Sequence, residues 1–152
     1  MFRILFVFFC VGIFACGNNE NAPSSSQTPP TNSGYDLTEF YDFYQKFHRD
    51  SLFQMAHITW PLEGLPNHAG MDSTVNRSET YYWEKEDWTM HQPIDFEMSE
   101  FRRELTPISE DLIFENITHK SGHYGMIRRW AKLSDGWNLI YYVGMNRIGK
   151  EE

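Results

Sequence analysis

The sequence predicts an α+β domain in which N-terminal helices pack on one curved antiparallel sheet, and three observations carry that expectation. Residues 35–50 repeat apolar side chains at helical spacing, residues 112–146 alternate with the period of strands, and Asp135-Gly136 is a tight-turn pair between the last two strands. Helices followed by a run of strands place the helices on one face of an antiparallel sheet.

Taken in order, Leu37, Phe40, Phe43, Tyr44 and Phe47 follow the i, i+3, i+4, i+7 pattern of an amphipathic helix, with Glu39, Asp42, Lys46 and Arg49 opposite. Asp36 is placed to accept from the first free amides as N-cap. Residues 51–56 predict a second short helix, restarted by Asp50 or Ser51. His57-Ile58-Thr59-Trp60 alternates as a short strand, which Pro61 is expected to end because it has no N–H for a ladder. Residues 63–75 hold Gly64, Pro66, Asn67, Gly70 and Asp72 without periodicity and read as a loop. Residues 80–84 are aromatic and β-prone, and residues 87–90 are expected to return across Lys85-Glu86. Residues 99–105 read as a helix capped by Ser99 and ended by Pro107, although they also alternate as a strand. Residues 112–118, 124–133 and 137–146 are strands. On the last, Trp137, Leu139, Tyr141, Val143 and Met145 share one face, and Asn138, Ile140, Tyr142 and Gly144 the other. Both faces are largely apolar, so this strand is central or covered on both sides.

The domain is preceded by a leader. Residues 1–16, MFRILFVFFCVGIFAC, carry Arg3, an apolar run from Ile4 to Phe14, and Ala15 directly before Cys16. The run is shorter than the roughly 20 residues that span a bilayer and has the flanks of a secretory signal. Ile13-Phe14-Ala15-Cys16 resembles the lipobox of bacterial lipoproteins, which implies that residues 1–15 are removed and that Cys16 becomes the acylated first residue. The expected partner of the N-terminus is therefore a membrane, entered through lipid. By the sorting logic of two-membrane bacteria, Gly17 after Cys16 resembles a signal for the outer membrane of the cell envelope. Residues 16–34 form the expected tether. Of these, residues 17–34 contain Ala22 as their one hydrophobic side chain, among Ser, Asn, Pro and Gly. As a random coil they span roughly 20–25 Å. Residues 35–152 are the length of a single domain with one core.

Composition narrows the chemistry. The chain has a formal net charge of −8, and loss of Arg3 with the leader takes it to −9, a poor match for nucleic acid. The only cysteines are Cys10, inside the leader, and Cys16, so the domain has no thiol for disulfide or redox chemistry. Aromatic residues make up 16% of the chain, which predicts a dense core or an aromatic-lined cavity.

Phe40-x-x-Phe43-x-x-x-Phe47-x-x-Asp50-Ser51-x-Phe53-Gln54-x-x-His57-Ile58-x-Trp60-Pro61-Leu62 resembles the opening of a family of small bacterial envelope lipoproteins of unknown function. The likeness continues through Glu115-x-Ile117, Arg129-Trp130 and Trp137-x-Leu139-x-Tyr141-Tyr142. It implies a fold similar to the cone of nuclear-transport-factor-2-like proteins, in which a bent sheet wraps a long helix around a cavity. That family brings no catalytic residues to transfer, and fold alone does not assign function.

The residues themselves leave several readings. Phe43, Phe47, Trp60, Trp83, Trp130 and Tyr141 come from different elements that such a cone would draw around one interior, the default setting for a small ligand; core packing is the competing use of the same side chains. One of Arg128 and Arg129 is expected to face inward, where a guanidinium suits a carboxylate or other anion. Asp50 and His57 are candidates for an oriented acid–base pair in a cofactor-free hydrolase or isomerase, or else a helix cap and a strand start. His119 and His123 flank a turn at the spacing of some metal pairs, without a fixed third ligand. No phosphate loop, nucleophile elbow or metalloprotease motif occurs, so no catalytic, metal or cofactor residue is assigned. The expected role is a non-catalytic module for a small ligand or an envelope protein partner, with a purely structural lipoprotein as the third reading.

Overall fold

The aromatic stripe of the first segment forms α1 (Thr38–Arg49) and the next residues form α2 (Ser51–Ala56). The computed structural model describes residues 34–67, 69 and 80–148, all within one unit, Thr31–Glu152. The leader, Cys16 and nearly all of the tether lie outside the described residues. Among the described residues no helix is long and apolar enough to cross a membrane. Asp36 Oδ1 accepts from Thr38 N at 2.9 Å, and Asp50 Oδ1 accepts from Phe53 N at 3.0 Å, so each carboxylate satisfies an amide that its helix leaves free.

Six strands follow: β1 (Ile58–Leu65), β2 (Tyr81–Trp83), β3 (Phe101–Ser109), β4 (Leu112–His119), β5 (Tyr124–Leu133) and β6 (Gly136–Arg147). They form one curved sheet in the order β2-β1-β6-β5-β4-β3, with both helices against it. The α+β architecture is the expected one, and the sheet is mixed rather than antiparallel, because β1 runs parallel to β6. The connection between them is long enough to carry β2 to β5, which removes the need for a hairpin between sequence neighbours. β6, the longest strand, lies between β1 and β5, as its two apolar faces require.

Three local expectations are corrected. Residues 101–105 are strand, not helix: β3 pairs residue for residue with β4, and its burial alternates, with Arg103 and Leu105 half-buried and Arg102 and Glu104 exposed. A helix would break that two-residue match. Pro107 sits in this edge strand next to a register shift, where its missing N–H leaves no central ladder unpaired. Pro61 does not end β1, which continues to Leu65 through a register shift between Ile58 and Glu63, taking Glu63–Leu65 out of the expected loop. Residues 87–90 do not return as a strand: Lys85–Asp87 is a 3₁₀ turn, and residues 88–95 belong to no helix or ladder.

A further shift changes which side chains meet. Arg129 pairs with Tyr141 but Trp130 with Leu139, so Ile140 is the extra residue of a bulge and the alternation of β6 inverts there. Tyr142 rather than Tyr141 joins Trp137 and Leu139 in the core. That core lies between α1 and the sheet. Phe47 meets Trp130 with ring centroids 5.0 Å apart, Phe40 meets Trp137 at 5.1 Å, and Phe43 meets Trp130 at 5.8 Å, all edge to face. Each such pair adds about 0.5–1.5 kcal/mol beyond its buried area.

Candidate functional site

The helical repeat sets Tyr44 and His48 one turn apart on the same side of α1. The β4–β5 register sets Glu115 directly opposite Arg128, both on the face toward that helix. These four side chains, with Trp130, form a polar network inside an otherwise aromatic core. Tyr44 donates its hydroxyl to Glu115 Oε1 at 2.7 Å, and Trp130 Nε1 donates to Glu115 Oε2 at 2.9 Å. Arg128 Nη1 lies 3.4 Å from Glu115 Oε2, 3.3 Å from the Tyr44 hydroxyl and 3.1 Å from His48 Nε2. Since a guanidinium only donates, His48 Nε2 is the acceptor, and its Nδ1–H donates to the Tyr44 carbonyl at 2.8 Å. Glu115 and Arg128 are 0% and 2% exposed, so the ion pair is shielded from screening.

The electrostatics follow from this enclosure. Burial, then the charge of Arg128, push the His48 pKa down to about 3, so its imidazole is neutral. His91 is also held well below its ordinary range by burial, Arg128 and His48. Burial and the neighbouring Glu115 push the Tyr44 hydroxyl well above the ordinary tyrosine range. For Arg128, burial opposes the charge, but Glu115 and Tyr44 outweigh it and keep the guanidinium ionised.

A strap outside helix and sheet, residues 88–95, lies along this interior, and one side chain fastens it. Gln54 donates to the carbonyls of Phe47 (2.8 Å) and His91 (2.9 Å), and accepts from His91 N (2.8 Å) and Trp88 Nε1 (3.1 Å). All four hydrogen-bonding positions of the amide are used. His91 is thereby held against Tyr142, with ring centroids 4.7 Å apart. Beside the strap is a cavity of about 240 Å³ lined by His48, Arg49, Ser51, Gln54, Met90, His91 and Gln92. Two enclosed atoms, His91 Nδ1 in a lining residue and Arg128 Nε behind His48, have no hydrogen-bond partner among the described residues.

The six aromatics singled out by sequence occupy three places. Phe43, Phe47 and Trp130 pack on one another in the core. Trp60 and Trp83 pack against Trp88, at 5.6 and 6.2 Å. Tyr141 lies on the far face of the sheet, under the Arg129 guanidinium at 4.2 Å. Of the arginine pair, Arg128 faces inward. Asp50 caps α2, while His57 Nδ1 is 3.0 Å from the Trp137 carbonyl and its ring lies 4.0 Å from that of Phe53. No hydrogen bond joins Asp50 and His57 among the described residues. His119 Nδ1 is engaged within the β4–β5 turn by Ser121 N and Oγ, at 3.2 and 2.8 Å. Sequence reasoning missed Tyr44, His48, Gln54, His91 and Glu115 as a group. Polar residues on the apolar stripe, His48 beside Phe47 and Glu115 between Ile113 and Ile117, were the available signal.

Comparison with known proteins gives structural likeness alone. No protein-family model matches the chain, and no curated protein matches it. Among solved structures, it is similar to an NTF2-like protein from Bacteroides fragilis, at 14% identity and a TM-score of 0.49, over 81% of this chain and 51% of that one. The chain thus spans about half the length of that protein. It is also similar to a cystatin-like protein from Bacteroides caccae, at 18% identity and a TM-score of 0.49, over 69% of this chain and 74% of that one. A protein of unknown function from the DUF3225 family of Pectobacterium atrosepticum matches at 11% identity and a TM-score of 0.38, over 72% of this chain and 85% of that one.

Proposed function

We propose that the chain is a lipid-tethered envelope module that binds a small molecule without transforming it. In this reading Cys16 carries the lipid, residues 16–34 hold the domain off an outer membrane, and the cavity beside the strap receives the ligand. The observation that carries the reading is this cavity of about 240 Å³, polar-lined and backed by a buried, ionised arginine. It is smaller than the roughly 300–1,000 Å³ of drug-sized sites, which fits a small metabolite. Binding is favoured over catalysis because the titratable groups at hand are poorly poised. A general acid or base works best with a pKa near the operating pH, whereas His48 is held at about 3 and Tyr44 far above neutrality. The core aromatics Phe43, Phe47 and Trp130 then serve as the rigid wall behind α1.

Two measurements test the proposal. Cells fed a labelled fatty acid should label the wild-type chain and leave Cys16→Ala unlabelled; equal labelling of both removes the tether. The full chain in mild detergent should rise in Tm with at least one compound of a small-metabolite library. A ligand at a hundred times its Kd adds about 2.7 kcal/mol, a shift of several degrees. Gln92→Trp, which fills the cavity from an exposed position, should abolish the shift. A library without effect on wild type refutes the binding role.

A further inference from the structure

We infer that the cavity beside the strap selects a small carboxylate, bound by Arg49 with Ser51 and Gln92 as neutral partners. The inference rests on the small-ligand reading above and narrows it to a chemical class. Four observations support it.

The first is the composition of the lining. Arg49 is its one formally charged residue, and no carboxylate contributes, in a chain whose net charge is −8. Asp50 lies between Arg49 and Ser51 in sequence, but it is turned away to cap α2 through Phe53 N. The fold therefore removes the acid nearest the opening. The second is the charge of the interior behind the wall. Arg128 and Arg103 both lie on the inner face of the sheet, and Glu115 is the acid that opposes them there. Arg103 is held between the rings of Tyr44 and Phe96, at 4.8 and 5.0 Å, and no carboxylate among the described residues forms an ion pair with it.

The third is the reach of that positive potential. Beyond the larger effect of burial, the charge of Arg128 disfavours a proton on both His48 and His91, which line the cavity. A potential that repels a proton at those rings attracts an anion beside them. The fourth is hydrogen-bonding capacity in the lining, where Ser51 brings a hydroxyl and Gln92 an amide to the same space. Arg49 presents a planar fork of donors, the geometry that fits a carboxylate by two parallel bonds. Neutral histidines suit this role, since they neither compete as cations nor require a counter-ion.

The test uses matched carboxylate and amide probes, which share shape and differ in charge: butyrate with butyramide, and benzoate with benzamide. Titration calorimetry of the full chain in detergent should show at least one carboxylate binding ten or more times tighter than its amide. Arg49→Gln, at an exposed position, should erase that preference, Arg49→Lys should restore part of it, and Gln92→Trp should block binding altogether. If acid and amide bind equally and Gln92→Trp blocks both, the carboxylate inference falls while the small-ligand reading stands. A carboxylate preference untouched by Arg49→Gln and Gln92→Trp places the anion elsewhere and overturns the inference. If neither these probes nor the metabolite library bind, the small-ligand reading itself fails.

Discussion

Replacing Glu115 by glutamine isolates what the buried ion pair contributes. The two side chains have the same shape, so the packing against Trp130 is retained. The amide can direct its oxygen to Trp130 Nε1 and Arg128 Nη1, now 2.9 and 3.4 Å from Glu115 Oε2, and its nitrogen to the Tyr44 hydroxyl, now 2.7 Å from Oε1. A hydroxyl accepts as readily as it donates, so each of these three contacts is kept, at the expense of the acceptor that the Tyr44 O–H now has. What is lost is the negative charge facing a guanidinium that is 2% exposed. Leaving one partner of a buried pair uncompensated costs about 3–5 kcal/mol, a large share of the roughly 5–15 kcal/mol that holds a domain together. Urea unfolding of the full chain, followed by tryptophan fluorescence, should show the midpoint falling by about 2 M with an unchanged slope, taking a slope of about 2 kcal/mol/M. Adding Arg128→Met removes the stranded charge and should recover most of the loss, since buried pairs replaced by apolar groups are often neutral in stability. A single variant within about 1 kcal/mol of wild type refutes the reasoning, as does a double variant no more stable than the single.

Three other outcomes follow from the same geometry. His48 binds its proton less readily in the fold, at about 3, than in the unfolded chain. Its neutral form therefore stabilises the protein above about pH 6.5, and stability declines as pH falls from there toward 3, by up to about 1.4 kcal/mol per pH unit; His48→Gln should flatten that part of the pH–stability curve, and a profile unchanged by the substitution would exclude His48 as the source. Gln54→Ala removes the three bonds that fasten the strap and the one that anchors Gln54 to Phe47 of α1, and hydrogen exchange at His91 N and its neighbours should accelerate by at least tenfold while strands β4 to β6 keep their protection; uniform loosening of the whole domain would contradict the strap as a separate element. A Cβ at Gly64 would stand 1.8 Å from the Tyr142 carbonyl oxygen, a backbone atom that cannot yield without parting β1 from β6. Gly64→Ala should therefore lower stability by several kcal/mol, in the range of severe overpacking, and a melting curve like that of wild type would contradict the close approach.

The parts of this fold that were legible in the sequence are those written in local periodicity. Leu37 to Phe47 repeats an apolar side chain every three to four residues, and that repeat alone places α1 and the face it buries. Asp50 as a cap and the turn before β6 are set by side chains within a few residues of the backbone they serve. The segment 101–105 was ambiguous because five residues match both periods; pairing with residues 115–119 decides it, and that pairing depends on the whole sheet. The bulge at Ile140 was invisible for the same reason, and with it the exchange of Tyr141 for Tyr142 in the core.

By itself, the sequence determined that residues 35–152 are acidic and free of thiols, the helix-then-strand order, and an arginine turned inward at 128 or 129. Tertiary structure decided that the arginine is Arg128, that it meets Glu115, Tyr44 and His48, and that a polar cavity opens beside them. The reason is distance along the chain: Tyr44 and Arg128 are 84 residues apart, and His91 reaches the cluster through Gln54, 37 residues from it. Periodicity reports which face of an element is buried. Which polar groups share that buried space is set by the register between strands and by the strap laid over them, and neither has a local signature.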